Sequence, residues 1–194
     1  MERVLIGAGG FAREIIADIG TALKCFVNDE YWESGLFKLS ELNPKKHSIL
    51  IAIGDPFERC RLAKELSDFS YWSHISKHAI ILSPLKSFGL GSIICAGSII
   101  TTNVSIANHV HINLSCTIGH DTFIDDFVTL SPSTNISGNV NINKRVFIGT
   151  NSSVREKISI DSDIVIGLNS GVINPLSEKG VYGGTPCKKI KGLH

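Results

Sequence analysis

The feature that most constrains this chain is an aliphatic residue at every sixth position. From Ile94 to Val172 each sixth residue is Ile, Leu or Val, and no insertion breaks the register. A second column, four residues further on, contains only small or β-branched side chains. In a third column, three residues after each aliphatic, Gly, Asn or Asp is frequent, as at Gly97 and Asn103. These residue types tolerate the backbone of tight turns.

A period of six excludes a helix, whose period is about 3.6, and an ordinary strand, whose period is about two. A short strand followed by a turn, repeated every six residues, fits the pattern. Three such units close one triangular coil, so residues eighteen apart stack and the aliphatic column points inward. The sequence therefore predicts a parallel β-helix. Leu82 and Phe88 extend the register backwards less regularly. The length of the uninterrupted register disfavours a chance repeat in another β-rich domain.

The first 72 residues follow a different pattern. Apolar runs and helical spacings alternate, which predicts a small Rossmann-like α/β domain with three or four parallel strands. Strands are expected at 3–6, 25–27, 48–53 and near 71, and helices at 11–23 and 56–66, with Asp55 as N-cap. We expect two domains, residues 1–72 and 73–194, with residues 72 to 93 as the connection.

A glycine turn follows the first strand. Gly7, Gly9 and Ala12 match G-x-G-x-x-A, and Asp29 lies about twenty residues further on. In that fingerprint, backbone N–H groups at a helix start bind phosphate and the acid binds ribose. Because the domain is about half of a full dinucleotide fold, a nucleotide or nucleotide sugar is favoured over NAD. The alternative is that the glycines only form a tight turn.

Composition excludes several classes of function. Lys plus Arg number 19 and Asp plus Glu 18, so nothing indicates a nucleic acid or anionic membrane partner. The five cysteines form no C-x-x-C pair, which favours reduced thiols and a cytoplasmic location. Glu2 and Arg3 interrupt the first apolar run and no stretch of about 18 apolar residues exists, so neither a signal peptide nor a membrane span is expected.

His120 is the candidate general base. Histidine, with an ordinary pKa near 6.5, accepts a proton at neutral pH. Stacking by eighteen places Thr102 below it and Gly138 above it. A missing side chain at 138 is expected to leave room for a thioester arm and to expose a backbone N–H for an oxyanion. Asp121 is the candidate that orients the imidazole, and Asn113 is the alternative.

The other histidines and cysteines have simpler interpretations. His109 and His111 lie close to His120 in sequence and allow a zinc hypothesis, as in a hexapeptide-repeat carbonic anhydrase. Their spacing does not stack by eighteen with His120, which disfavours it, and no metal is expected. Cys116 belongs to an inward column and is expected in the core.

Several motifs together resemble one family, the NeuD/PglD sugar acyltransferases. They are the Gly7–Arg13 turn, I-A-I-G-D at 51–55, I-G-H-D at 118–121, S-P at 131–132, S-G-N-V at 137–140 and G-V-Y-G-G-T-P at 180–186. The resemblance covers nearly the whole chain. It implies a left-handed coil, a homotrimer, acetyl-CoA bound between neighbouring subunits and a sugar nucleotide held by the amino-terminal domain.

The resemblance also assigns residues. It implies His120 and Asp121 as catalytic, and Gly9, Gly10, Phe11, Asp29 and Gly54 as contacts to the nucleotide sugar. It implies Thr129, Gly138, Thr150, Gly167 and Leu168 as contacts to acetyl-CoA. One departure concerns Thr129, because part of the family has a second histidine there.

The sequence thus favours an acetyl-CoA-dependent N-acetyltransferase of polysaccharide biosynthesis. Its expected substrate is a nucleotide-linked 4-amino deoxysugar, acetylated by direct transfer with His120 as base. O-acetylation of sialic acid or another sugar is the near alternative, because a histidine base serves an amine and a hydroxyl equally. A β-helical scaffold without activity is the alternative from another class.

Overall fold

A computed structural model describes residues 1–192, so the last two residues of the predicted second domain lie outside the described part. The chain begins with a five-stranded parallel sheet, here the N-terminal sheet, in the order β3-β2-β1-β4-β5. Its elements are β1 (Glu2–Ile6), α1 (Gly10–Ile19), β2 (Cys25–Val27), β3 (Phe37–Lys38), β4 (His47–Ile51), α2 (Pro56–Glu65) and β5 (Ser70–Tyr71), with 3-10 turns at Asp29–Tyr31 and Leu39–Glu41.

Alternate side chains of β1 face two different layers. Leu5 packs with α1 and with the first part of the repeat, whereas Val4 and Ile6 pack with α2. The N-terminal sheet is therefore covered on both faces, as a parallel sheet requires. Within residues 1–192, neither helix combines the length and apolar character needed to cross a bilayer.

The helix ends follow from local residues. Asp55 caps α2 by accepting the N–H groups of Phe57 and Glu58, as predicted, and Pro56 occupies the first turn. The prediction for α1 was too long, because Gly20 takes a left-handed conformation (φ 72°) and ends the helix four residues before the predicted end. The sheet has five strands rather than the three or four predicted, since the two-residue strand β3 carries no periodic signal.

The rest of the chain is built almost entirely from two-residue strands. In chain order they are β6 (His74–Ile75), β7 (Ile80–Ile81), β8 (Ser87–Phe88), β9 (Ile93–Ile94), β10 (Ile99–Ile100), β11 (Ser105–Ile106), β12 (His111–Ile112), β13 (Thr117–Ile118), β14 (Phe123–Ile124), β15 (Thr129–Leu130), β16 (Asn135–Ile136), β17 (Asn141–Ile142), β18 (Phe147–Ile148), β19 (Ser153–Val154), β20 (Ser159–Ile160), β21 (Ile164–Ile166), β22 (Gly171–Val172), β23 (Gly180–Gly183) and β24 (Lys188–Lys191).

These strands stack into three faces. Face 1 is β24-β23-β21-β18-β15-β12-β9-β6, face 2 is β22-β19-β16-β13-β10-β7, and face 3 is β20-β17-β14-β11-β8. Parallel pairs join residues eighteen apart, for example Ile100 with Ile118. The aliphatic column from Ile94 to Val172 is 0–3% exposed, and Cys116 lies in the core with it. The predicted fold class is confirmed: a small Rossmann-like α/β layer followed by a left-handed parallel β-helix.

The turns of the β-helix share one backbone conformation. Every sixth residue from Gly91 to Asn169 has a positive φ, between 53° and 72°. Gly, Asn and Asp accept this readily, but Phe127 and Arg145 adopt it too, although the conformation costs other residues roughly 1 kcal/mol. Stacking on the neighbouring coils therefore imposes the turn, and the residue type only makes it easier.

The first coil departs from the predicted register. Ile81, not Leu82, pairs with Ile100, and Leu82 is 61% exposed. The next inward residue is Phe88, which pairs with Ile106. One extra residue lies in the turn between Ile81 and Phe88, and this insertion explains why the repeat is irregular there. Residues 72 to 93 are thus not merely a connection, because β6 to β8 already form a coil.

Candidate active site

His120 lies at the exposed corner between faces 2 and 3. It follows β13, and its carbonyl accepts the N–H of Asn139 from the next coil. Its Nδ1 atom is 2.8 Å from Oδ2 of Asp121, so the carboxylate contacts the imidazole, while its catalytic role stays a prediction. The two side chains are 64% and 47% exposed. The corner therefore presents an imidazole that is held at one nitrogen and open to a substrate at the other.

The Asp121 carboxylate has a second partner. Nδ2 of Asn103, one coil below, donates to Oδ1 of Asp121 at 3.1 Å. The bond to His120 and the bond from Asn103 both lower the pKa of Asp121. The carboxylate therefore stays charged at neutral pH, and it favours the tautomer in which Nδ1 of His120 carries the proton and Nε2 accepts one.

Gly138 stacks directly on His120, as the eighteen-residue coil predicts. A Cβ atom at position 138 would lie 2.5 Å from Nε2 of His120. The expectation that glycine leaves an empty slot for a thioester arm is therefore wrong, because the imidazole itself occupies that space. What glycine permits is the upright position of the ring. In the described residues, the Gly138 N–H has no backbone acceptor and is free to donate.

A second candidate site is a cleft of about 800 Å³ at the carboxyl edge of the N-terminal sheet. The turns after β1, β2 and β4 meet there, at the point where the strand order reverses, which is where open α/β sheets bind ligands. Gly7 has a φ of 103°, and Gly9 begins α1 with open space beside it. The N–H groups of a ten-residue helix therefore face the cleft and suit an anion.

Only some of the residues predicted to contact the sugar nucleotide lie at this cleft. Gly9 lines it and Gly10 starts α1 beside it. Phe11 instead packs on the ring of His111, 5.1 Å between centroids. Asp29 accepts hydrogen bonds from Oγ and N of Ser40, and the carbonyl of Gly54 accepts one from Thr129. The sequence interpretation missed cleft residues on neighbouring elements: Asn28, Tyr31, Glu58 and Arg61.

Arg59 joins α2 to the β-helix and is fully buried. Its guanidinium donates to backbone carbonyls on both sides: Ile53 and Gly54 at the end of β4, and His109, Phe127 and Val128 in two successive coils. It also donates to Oγ1 of Thr129 at 2.8 Å. Burial lowers the pKa of Arg59 to about 9. Nothing in the sequence distinguishes this arginine from the exposed Arg61 on the same helix.

The predicted acetyl-CoA residues lie on three different parts of the coil. Gly138 adjoins His120, whereas Thr150, Gly167 and Leu168 follow β18 and β21, at the corner between faces 1 and 2. Leu168 is 69% exposed there. Thr129 is only 3% exposed and lies at the contact with the N-terminal sheet, where its hydroxyl donates to the carbonyl of Gly54. The structure therefore does not bring these residues together within one chain.

The histidines considered for zinc are separated. His111 is buried against Phe11, and His109 stacks on Phe127 with 5.0 Å between ring centroids. His120 lies on another corner, and no group of three or more potential metal ligands occurs among residues 1–192. Asn113, the alternative partner of His120, bonds to its own turn through the N–H of Leu114.

Several solved structures match this chain over almost its whole length, whereas no protein-family model and no curated protein matches it. A histidine-to-alanine mutant of GDP-perosamine N-acetyltransferase from Caulobacter crescentus, in complex with CoA and GDP-perosamine, superposes with a TM-score of 0.90 at 23% identity, covering 98% of this chain and 97% of that one.

Two further structures are equally extensive matches. The acetyltransferase domain of PglB from Neisseria gonorrhoeae has a TM-score of 0.87 at 22% identity, over 97% of this chain and 99% of that one. WeeI from Acinetobacter baumannii has a TM-score of 0.85 at 22% identity, over 98% and 100%. At these identities the likeness establishes the fold, a Rossmann-like layer joined to a left-handed β-helix.

Proposed function

We propose that this protein is an acetyl-CoA-dependent N-acetyltransferase that acts on a nucleotide-linked 4-amino deoxysugar. One observation carries the proposal: an exposed imidazole, oriented by a carboxylate, stands beside a free backbone N–H at the Gly138 position. The similar structures support it, since one is named a GDP-perosamine N-acetyltransferase with CoA and sugar nucleotide bound, and another an acetyltransferase domain.

The transfer is direct. The substrate amine attacks the thioester carbonyl, and Nε2 of His120 accepts the proton that the amine loses. The new C–N bond gives a tetrahedral oxyanion, for which the Gly138 N–H is the candidate donor. Collapse of this intermediate breaks the C–S bond, and the imidazolium returns the proton to the departing thiolate of CoA. Asp121 stabilises the imidazolium between these two proton transfers.

The cleft in the N-terminal sheet is the proposed site of the nucleotide. The pyrophosphate is expected at the start of α1, beside Gly9 and Gly10, where helix N–H groups and the helix dipole favour negative charge. The exposed ring of Tyr31 at the cleft offers a flat surface to a base. Asp29, another predicted contact, already accepts a hydrogen bond from the Ser40 hydroxyl. A ribose at this site would therefore share the Asp29 carboxylate with Ser40.

We further propose a homotrimer that completes the acetyl-CoA site. His120 and Gly138 lie on one corner of the coil, whereas Thr150, Gly167 and Leu168 lie on another. A second copy that brings its corner against the first would unite the two groups. Thr129 is the weakest member of this set because it is buried against Gly54. Sedimentation equilibrium of the whole chain tests the assembly directly.

A cytoplasmic location belongs to the same proposal. All five cysteines are free thiols and four of them are buried. Chains in oxidising compartments use such residues for disulfides, so free buried thiols favour a reducing compartment.

The decisive experiment follows release of free thiol from acetyl-CoA across UDP-, dTDP- and GDP-linked amino sugars and free sialic acid. Turnover with a nucleotide-linked amino sugar, and an N-acetyl product by mass spectrometry, supports the proposal. Turnover only with sialic acid establishes O-acetylation instead. An absence of both turnover and thermal stabilisation by acetyl-CoA or UDP favours a scaffold, because a ligand that binds the folded state raises its stability.

A further inference from the structure

Asn103 and Asp121 form one of several hydrogen bonds between side chains eighteen residues apart. Asn143 donates to Asp161 in the same way, and with the same distance of 3.1 Å. Such bonds link successive coils wherever the stacked residues are complementary. Among these stacked pairs in residues 1–192, however, Asp121 is the only acceptor that also contacts a histidine.

The ring of His120 has few other constraints on its direction. Its side chain is mostly exposed, so packing does not hold it. The contact between Nδ1 and Asp121 is therefore the main restraint, and it acts only while the carboxylate keeps its own orientation. The Asp121 side chain is itself about half exposed, and its second oxygen is fixed by Asn103.

We propose that Asn103 is a positioning residue for the general base, because its amide anchors the carboxylate that directs Nε2 of His120 toward the Gly138 backbone. The inference rests on the proposed function only in naming His120 as the base. Asn103 touches no reacting atom. It acts through Asp121, and Lys86 is the other charged group close enough to affect that carboxylate.

Two substitutions at position 103 are expected to move the acid limb of the pH–rate profile in opposite directions. Asn103→Gly removes the amide but suits the left-handed turn, since φ is 58° there. The freed carboxylate stabilises the imidazolium less, so we expect kcat to fall about tenfold with little change in KM. The acid limb of the pH–rate profile moves to lower pH.

Asn103→Asp keeps the shape of the side chain, removes the same N–H donor and adds a negative charge close to Asp121. That charge favours the imidazolium, so we expect the acid limb to move to higher pH. Asn143→Ala is the matched control: it removes an equivalent ladder bond and leaves both kcat and the acid limb unchanged.

The same variants are titrated by NMR without substrate, and the His120 resonance is assigned with His120→Ala. Opposite movements of the His120 titration midpoint in the two variants support the inference. They do so even when no acetyl transfer is found, and that result contradicts only the proposed function. Normal transfer with an unmoved midpoint and an unmoved acid limb in both variants overturns the role of Asn103. A control variant that moves the limb equally also overturns it.

Discussion

Three histidines close together in the repeat have opposite environments. His109 and His111 are 7% and 0% exposed and lie under the N-terminal sheet, whereas His120 projects from an open corner. Burial lowers the pKa of His109 to about 4 and that of His111 well below its usual value. Both are therefore neutral packing groups at physiological pH. The face of the coil on which a histidine falls decides its chemistry more than its neighbours in sequence do.

The sharpest test of this comparison is His120→Ala. We expect turnover to fall by about a hundredfold to ten thousandfold, because no other described side chain at that corner replaces the base. Binding of acetyl-CoA, measured by calorimetry, stays unchanged. His78→Ala is the control, since His78 is exposed on the first coil and is expected to leave turnover intact. Near-normal turnover in His120→Ala would refute the assigned base.

The buried contact between the N-terminal sheet and the coil, where His109 lies, depends on Arg59. Arg59→Met leaves several buried carbonyls without a donor, so we expect the free energy of unfolding to fall by about 3 kcal/mol. Arg61→Met on the same helix removes only exposed, solvent-screened ion pairs and is expected to cost far less. Urea denaturation measures both, and equal losses would contradict the role of Arg59 as the link between sheet and coil.

Gly138→Ala tests whether the His120 ring needs a residue without a side chain stacked on it. The added methyl group falls on the imidazole, so the ring turns away and turnover drops by about tenfold or more. The same clash is expected to lower the free energy of unfolding. In a His120→Ala background no ring is present, so Gly138→Ala is expected to cause no such loss. Additive losses in the double-mutant cycle would show that the two positions do not interact.

The two buried histidines also predict a pH dependence of stability. Because the pKa values of His109 and His111 are lower in the folded than in the unfolded chain, the unfolded chain binds more protons below about pH 6.5. Stability is therefore complete above that pH and is lost progressively as the pH falls below it. His111→Leu should remove about half of this slope between pH 6.5 and 5, and an unchanged slope would be contrary evidence.

The sequence was sufficient to predict what depends on the period. A register of eighteen residues places Gly138 on His120, and the stacking is observed. It also predicts the inward columns and a tight turn in every repeat, since both follow from the period rather than from single residues. Asp55 was identified as a cap because its signal is local.

What the sequence did not reveal depends on contacts between distant segments. Arg59 and Thr129 are seventy residues apart and share one hydrogen bond, and neither has a local signature of burial. Asp29 matches a ribose-binding pattern, but the partner that occupies its carboxylate, Ser40, comes from a short 3-10 turn with no periodicity. The space above Gly138 was misjudged because a side-chain rotamer, not the register, decides what fills it.

The extra residue between Ile81 and Phe88 has a practical consequence. The extra residue lies in a turn at a corner of the coil, and the strands that follow keep the eighteen-residue register. The bend at 82–84 is therefore a natural insertion point for a reporter peptide or an affinity tag. A graft there lengthens one exposed bend without changing the spacing between the nucleotide cleft and the imidazole corner.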